Sequence, residues 1–235
     1  MSQHVEQART LDTGSGSGSR LELVAVILTG LGHVLIEVAS QGMQGASESL
    51  AAPQHVFNLA AVAGWGGYVF YRGWRSRGIL QEWGFRAAGF RSSLGAGLLL
   101  ALAALPVLVG VGLWLGHLPV SAAFWLLLAV YPVWGLAQQF ALQVLVRRNL
   151  EPLVRKPPMR VMLASLIFSL AHFPNTALMG LTLVAGLAFT AIFEWKRNLW
   201  AIGVVHGILG AAAYYLVLGK DPGTQLLNLV GRFLA

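Results

Sequence analysis

Seven apolar segments, separated by short polar loops, make up most of this 235-residue chain. Each is close to the length of about 20 residues that an α-helix needs to cross the hydrocarbon core of a bilayer. Only 11% of the residues are charged, whereas about a quarter is usual in a soluble domain. The pattern predicts an all-α polytopic membrane protein with about seven transmembrane helices. The predicted spans are residues 22–40, 55–71, 93–115, 120–145, 160–176, 178–193 and 199–218.

The basic residues fall mainly in alternate loops. If all seven spans cross the membrane, 14 of the 16 Lys and Arg residues lie on one side of it. The positive-inside rule then places the N-terminus in the cytoplasm and the C-terminus outside, in a bacterial cytoplasmic (inner) membrane. Basic clusters beside apolar segments are typical of topology signals and of contacts with lipid headgroups. The net charge of +7 therefore does not indicate nucleic acid binding.

The chain divides into three parts by composition. Residues 1–20 are polar, contain a Gly/Ser run and are predicted to form a disordered cytoplasmic tail without a cleavable signal peptide. Residues 21–221 form the predicted transmembrane domain, and residues 222–235 an amphipathic segment at the interface. Cysteine is absent, so disulfides and thiolate nucleophiles are excluded.

Polar side chains interrupt several of the apolar spans and indicate where a site lies. Side chains that can ionise or form several hydrogen bonds are costly inside a bilayer and often mark function. Here they are Gln138, Gln139 and Gln143 in the fourth span, His172 in the fifth, His206 in the seventh, and His33 with Glu37 in the first. The rise of about 1.5 Å per helical residue puts Gln138, His172, His206, His33 and Glu37 in one slab through the bilayer centre.

Each of these residues also has a purely structural interpretation. Glutamines in a membrane commonly serve as hydrogen bonds between helices, worth about 0.6–2 kcal/mol each. A neutral histidine can likewise connect two helices through a hydrogen bond. Glu194, next to a basic turn, is expected to pair with Lys196 or Arg197 or to serve as a charge at the end of a helix. The run Gly64-Trp65-Gly66-Gly67 is expected to permit close contact between helices.

The order of the polar residues resembles a known family. A polar pair in the fourth span is followed by Phe168-x-x-x-His172, by an Asn-Leu-Trp-Ala turn and by a helix that carries His206. This order resembles the CPBP family of intramembrane glutamic proteases (CAAX protease and bacteriocin-processing, also called Abi or Rce1-like). The resemblance covers about residues 120–218, the core of that family.

The resemblance implies an endopeptidase in which a glutamate activates water while histidines assist. The first motif of the family is Glu-Glu-x-x-x-Arg, and its third is His followed four residues later by Asn or Asp. Here glutamines occupy all three named places of the first motif, and a glycine follows the histidine of the third. The catalytic positions implied by the resemblance are Gln138, Gln139, Gln143, Phe168, His172, His206 and Gly210.

These departures predict altered or lost peptidase chemistry. A glutamine amide does not accept a proton near neutral pH, and losing a general base commonly costs about 10²–10⁴ in rate. Gln139 and Gln143 form a neutral pair where the family has an ionic one. Replacing both charges together avoids an unpaired buried arginine.

Three functions remain open from the residues alone. One is a hydrolase of changed chemistry, with His172 or His206 as base or Glu37 as the missing carboxylate. Another is a non-catalytic scaffold or binding partner that uses the family cavity to hold a peptide, a lipid or a membrane protein. The last is a metal-dependent enzyme. Its ligands would be His33, Glu37, His172 and His206. Apart from the metal ion of this alternative, no cofactor is expected.

Overall fold

A computed structural model describes residues 19–42, 51–118 and 120–234, which form helices joined by short loops. Within these residues there are no strands, and the all-α fold class is confirmed. The helices are α1 (Arg20–Gly42), α2 (Ala51–Arg75), α3 (Ile79–Glu82), α4 (Phe90–Leu115), α5 (Ala123–Leu150), α6 (Pro157–Leu170), α7 (Thr176–Lys196), α8 (Leu199–Leu216) and α9 (Pro222–Leu234).

Each of the seven predicted spans coincides with a helix, and five of these helices are long and apolar enough to cross a membrane. The five are α1, α4, α5, α7 and α8. The fifth predicted span, 160–176, is occupied by α6, which has only 14 residues because the chain turns at Ala171. The second predicted span lies within α2, which carries polar residues near both ends. The protein is therefore a polytopic helical membrane protein.

Three glycines bring α5 and α8 into close contact. A Cβ atom added to Gly135 would lie 2.5 Å from the backbone nitrogen of Gly207 and 2.6 Å from the carbonyl oxygen of Gly203. A Cβ atom on Gly203 would lie 2.7 Å from a methyl group of Leu136. Small residues at helix interfaces allow such an approach in membranes. This contact places the glutamines that follow Gly135 directly against His206.

The glycine run in α2 does not have the predicted role. A Cβ atom added to Gly64, Gly66 or Gly67 would have no neighbour within 4 Å in the described residues. The expectation of close helix contact there is therefore wrong. The signal that does mark a helix contact is Gly203-x-x-x-Gly207 in α8, a spacing that puts both glycines on one face.

Helix α5 changes its winding next to the site. Residues Ala123–Phe140 are α-helical, Ala141–Arg147 form a π-helix, and Arg148–Leu150 return to α-helix. Short π-helical segments inside α-helices occur frequently at functional sites. Gln139 lies before this segment and Gln143 lies within it, so the helix changes from α to the wider π winding between these two residues.

A buried ion cluster ties α5, α6 and α7 together. The Glu194 carboxylate accepts hydrogen bonds from the Arg147 Nε at 2.9 Å and terminal nitrogen at 2.8 Å, and from the Arg160 Nε at 2.8 Å. The expected pairing of Glu194 with Lys196 or Arg197 is wrong, because the carboxylate is bound instead by Arg147 and Arg160, which are distant in sequence. Burial makes such a paired carboxylate costly to uncouple.

A second polar cluster fastens the α1–α2 hairpin to α5. Glu22 accepts hydrogen bonds from Arg148 at 3.1 Å, from Asn149 at 2.9 Å and from the Tyr68 hydroxyl. Beyond this cluster α1 is mostly exposed, and only 6% of its apolar stretch is buried inside the protein. The cluster therefore fixes one end of a hairpin that otherwise packs lightly.

The C-terminal helix α9 begins at a capped turn. Asp221 accepts hydrogen bonds from the Thr224 backbone at 2.9 Å and from its hydroxyl at 2.8 Å. Burial opposes ionisation, but these hydrogen bonds and one from Tyr215 outweigh it and hold the pKa of Asp221 well below its usual range. The predicted interfacial segment 222–235 thus coincides with a helix. Residues 1–18 of the predicted tail lie outside the described residues.

A substitution of Gly207 by alanine should destabilise the protein. Its Cβ atom would lie 2.7 Å from the backbone nitrogen of Pro132, so α5 and α8 would have to separate. Overpacking of this kind costs about 1–3 kcal/mol. We expect a lower melting temperature in detergent for Gly207→Ala and none of this loss for Gly64→Ala, which meets no neighbour. Equal melting temperatures for the two variants would contradict the close contact.

Cysteines placed at Gly30 and Ala171 should form a disulfide. A Cβ atom at Gly30 lies 3.8 Å from the Cβ of Ala171, which is about the mean separation in disulfides. The chain has no other cysteine, so mass spectrometry of digests after mild oxidation gives an unambiguous readout. A Gly30→Cys, Gly110→Cys variant is the control, because Gly110 has no neighbour within 4 Å of an added Cβ. Failure of the first pair to cross-link would contradict the packing of α1 against α6.

Candidate functional site

His206 lies between two glutamine side chains at the centre of the helix bundle. Its Nε2 atom is 3.0 Å from the Gln138 Oε1 atom, and its Nδ1 atom is 3.0 Å from the Gln139 Nε2 atom. The Phe189 ring packs against the imidazole with its centroid 5.2 Å away. His206 is buried, and both of its ring nitrogens are engaged by amides.

These two contacts determine where the imidazole proton lies. The carbonyl oxygen of Gln138 only accepts, so the Nε2 atom of His206 carries the hydrogen and donates it. The amide group of Gln139 donates to the Nδ1 atom, which therefore holds the lone pair. A neutral imidazole with one donor and one acceptor satisfies both contacts.

Gln143 extends the hydrogen-bonded chain away from the histidine. Its Nε2 atom donates to the Gln139 Oε1 atom at 3.0 Å and to the Thr190 hydroxyl oxygen at 3.1 Å. Gln139, Gln143 and Thr190 are fully buried, and the Gln143 Oε1 atom has no hydrogen-bond partner among the described residues. Thr190 was not singled out from the sequence. Its polar side chain within the apolar sixth span is the signal that would have found it.

His172 lies across the Phe168 ring from His206. The centroid of this ring is 4.9 Å from the imidazole of His172 and 6.1 Å from that of His206. The His172 Nδ1 atom donates to the backbone carbonyl of Phe168 at 2.7 Å. The lone pair of the neutral His172 ring is therefore on its Nε2 atom.

Gly210 adds no polar group to this arrangement. It lies one helical turn beyond His206, and an added Cβ atom there would be 2.9 Å from the Tyr131 ring. The position that carries an amide or acid in the family motif thus faces an aromatic ring here. A larger residue at 210 would require Tyr131 to move.

The alternative metal site is not assembled by the structure. His33 donates from its Nδ1 atom to the Asn58 Oδ1 atom at 3.0 Å, which joins α1 to α2. Among the described residues no three His, Asp or Glu side chains lie close enough to hold a metal ion. The set of His33, Glu37, His172 and His206 therefore does not converge as a metal centre requires.

A large apolar cavity adjoins the site. It has a volume of about 660 Å³ and lies between α1, α2, α5 and α6. Apart from two tryptophans, Thr29 and Gln138 are the lining residues with polar side chains. Phe168 also lines it. The family resemblance implied a cavity, but its position and size were not predicted, because periodicity alone does not show how far a lightly packed hairpin stands from its neighbours.

Comparison with protein families gives a match over the part of the chain that holds this site. The family model described as type II CAAX prenyl endopeptidase Rce1-like matches residues 119–212, from the start of α5 nearly to the end of α8. Comparisons with curated proteins and with solved structures gave no match. The matched segment contains the three glutamines and both histidines in the order that the resemblance predicts, and the chain therefore carries an Rce1-like domain over residues 119–212.

Proposed function

We propose that this chain is a non-hydrolytic member of the Rce1-like family, which holds an apolar ligand in the cavity beside Gln138. The single observation that carries the proposal is the engagement of both His206 ring nitrogens by glutamine amides at 3.0 Å. A histidine in this state has no free lone pair with which to take a proton from water. It acts as a fixed link between α5 and α8.

The glutamines cannot replace the missing base. A general base must accept a proton in reach of the attacking water, and an amide oxygen does so very poorly near pH 7. Gln138 also uses its oxygen to accept the hydrogen of His206. Peptide hydrolysis by the mechanism that the family resemblance implies therefore lacks its first step.

The remaining amides are closed off from a substrate. Gln139 and Gln143 have 0% exposure, and their hydrogen bonds are directed to one another, to His206 and to Thr190. An oxyanion hole needs donors pointed at the place where negative charge develops. Here the donors are already occupied inside the bundle.

The cavity supports binding as the remaining role. Its volume of about 660 Å³ falls within the range of about 300–1,000 Å³ that is common for ligand sites. The lining is almost entirely aliphatic and aromatic, and one wall is the lightly packed α1–α2 hairpin. This favours a lipid or an apolar segment of a membrane peptide as the ligand.

One observation favours a second candidate, a hydrolase that uses His172. Because its Nδ1 atom donates to the Phe168 carbonyl, its Nε2 atom holds a lone pair that can accept a proton. The imidazole lies against Phe168, which also lines the cavity. This candidate requires cleavage by the natural chain, and that requirement separates it from the main proposal.

The basic residues in the loops bear on the location and the orientation of the protein in the membrane. We place the protein in the bacterial cytoplasmic membrane, with its N-terminus in the cytoplasm and its C-terminus outside, on the basis of the basic loops. Arg147, Arg148 and Arg160 then lie at the cytoplasmic end of α5 and α6, held by Glu194 and Glu22. The surrounding membrane lipid is a partner of the protein, and no nucleic acid partner is proposed.

The natural chain should not cleave peptides. In a peptide-library assay in detergent, read by mass spectrometry, we expect cleavage only from the variant Gln138→Glu, Gln139→Glu, Gln143→Arg. Restoring the base should raise the rate by about 10²–10⁴ over the natural chain. Gln81→Glu, at an exposed position outside the site, controls for an added charge.

Cleavage by the natural chain would contradict the proposal. Loss of that cleavage in His172→Gln would then establish the second candidate. Loss in Glu37→Gln instead would assign the base to α1.

Filling the cavity should displace its ligand. Gly30 lines the cavity, and its nearest neighbour beyond an added Cβ atom is 3.8 Å away, so a leucine there would extend into the empty volume. We expect Gly30→Leu to co-purify with markedly less lipid or peptide than the natural protein, as measured by native mass spectrometry. Gly64→Leu, which adds the same side chain to an open face of α2, should leave the amount unchanged. Equal loss from both variants, or from neither, would contradict a ligand in the cavity.

A further inference from the structure

Among the described residues, the polar side chains that line the cavity are Thr29, Trp65, Trp134 and Gln138, and Gln138 is the one that belongs to the site. Thr29 donates its hydroxyl to the Ala25 carbonyl at 2.8 Å and accepts from the Trp65 indole at 3.4 Å. These bonds occupy the polar atoms of both Thr29 and Trp65 within the α1–α2 hairpin. Gln138 is half-buried, and its oxygen accepts a hydrogen bond from His206, which is not among the residues that line the cavity.

The amides and the imidazole form one chain that has a direction. A neutral imidazole has a single N–H, so Gln138 and Gln139 must play opposite roles towards His206. If Gln139 donates, Gln138 must accept, and its amide group remains unused. If the chain ran the other way, Gln138 would donate to His206 and its oxygen would remain unused.

The buried end of the chain at Gln143 decides between the two directions. In the direction found here, both Gln143 N–H groups are bonded, to Gln139 and to Thr190, and one carbonyl oxygen is unpaired. In the reverse direction the oxygen would accept both bonds, and two buried N–H groups would be unpaired. Buried N–H groups without partners are rarer in proteins than buried carbonyls with spare capacity. The direction found here is therefore the favoured one.

We propose that the Gln138 amide group selects the ligand, as a pair of N–H donors presented to an otherwise apolar cavity. The ligand class is an apolar chain that carries a carbonyl acceptor, such as a fatty acyl ester. An extended peptide fits less well, because its repeated N–H and C=O groups would find only this one polar partner. This inference rests on the proposed function and specifies its ligand.

Because the direction of the hydrogen-bonded chain leaves Gln138 with donors only, its amide group favours a ligand that carries an acceptor. An ester oxygen completes the hydrogen bonding of Gln138, whereas an alkane leaves the amide group unpaired. A net hydrogen bond of this kind corresponds to a preference of about two- to tenfold. Gln138 is thus a specificity-determining residue, placed by His206 and the chain behind it.

Radiolabelled methyl palmitate and an n-alkane of the same chain length test this preference by equilibrium dialysis against the full chain in detergent. We expect the ester to bind about two- to tenfold more tightly than the alkane. In Gln138→Leu the two probes should bind equally. Gln81→Leu, at an exposed position outside the cavity, should keep the preference. An acetylated oligoleucine amide serves as the peptide probe and should bind more weakly than the ester.

An infrared measurement on the natural protein makes the test independent of folding in the variants. The carbonyl band of bound ¹³C-labelled methyl palmitate should lie at lower frequency than the same band in detergent alone. Equal binding of ester and alkane, an unshifted band, or a preference that survives in Gln138→Leu would overturn the inference while leaving the proposed function in place. Tighter binding of the oligoleucine would overturn the ligand class. If neither ester nor alkane binds, the proposed function fails as well.

Discussion

Inside a bilayer each polar group has to find its partner within the protein, and the chain of amides around His206 meets this constraint almost completely. Water is not available there to satisfy a stray N–H or C=O group. The hydrogen bonds run from Thr190 through Gln143 and Gln139 to His206 and end at Gln138. Three helices are joined by this one chain. Because both ring nitrogens of His206 are engaged in this chain, the imidazole has no lone pair left to accept a proton from water.

The helix geometry serves the same chain. Gly135, Gly203 and Gly207 bring α5 and α8 so close that amide and imidazole meet at hydrogen-bonding distance. The π-helical segment Ala141–Arg147 begins directly after the α-helical turn that carries Gln138 and Gln139, and its last residue, Arg147, belongs to the ion cluster with Glu194. Glu194 fixes that end by holding two arginines. Rigid surroundings of this kind keep a polar network in a single arrangement.

Much of this architecture could be predicted from the sequence, and the rest could not for physical reasons. The span positions followed from the apolar segments and the family resemblance from the order of the polar residues. The helical rise placed Gln138 and His206 at similar depths, and the two are in contact. The glycines of α2 were misread because composition does not show which face has a neighbour. The direction of the hydrogen-bond chain depends on Thr190, which lies 47 residues from Gln143 in sequence and meets it only in the folded bundle. The catalytic and ligand-binding roles of these residues stay proposals.

The lack of a free lone pair on His206 depends on where its ring proton lies, and ¹⁵N NMR of the protein with labelled histidine measures that position directly. The resonances are assigned by their loss in His206→Gln. We expect a protonated, pyrrole-type signal from the Nε2 atom and an unprotonated, pyridine-type signal from the Nδ1 atom. A protonated Nδ1 atom, whether in the opposite tautomer or in an imidazolium ring, would contradict this expectation.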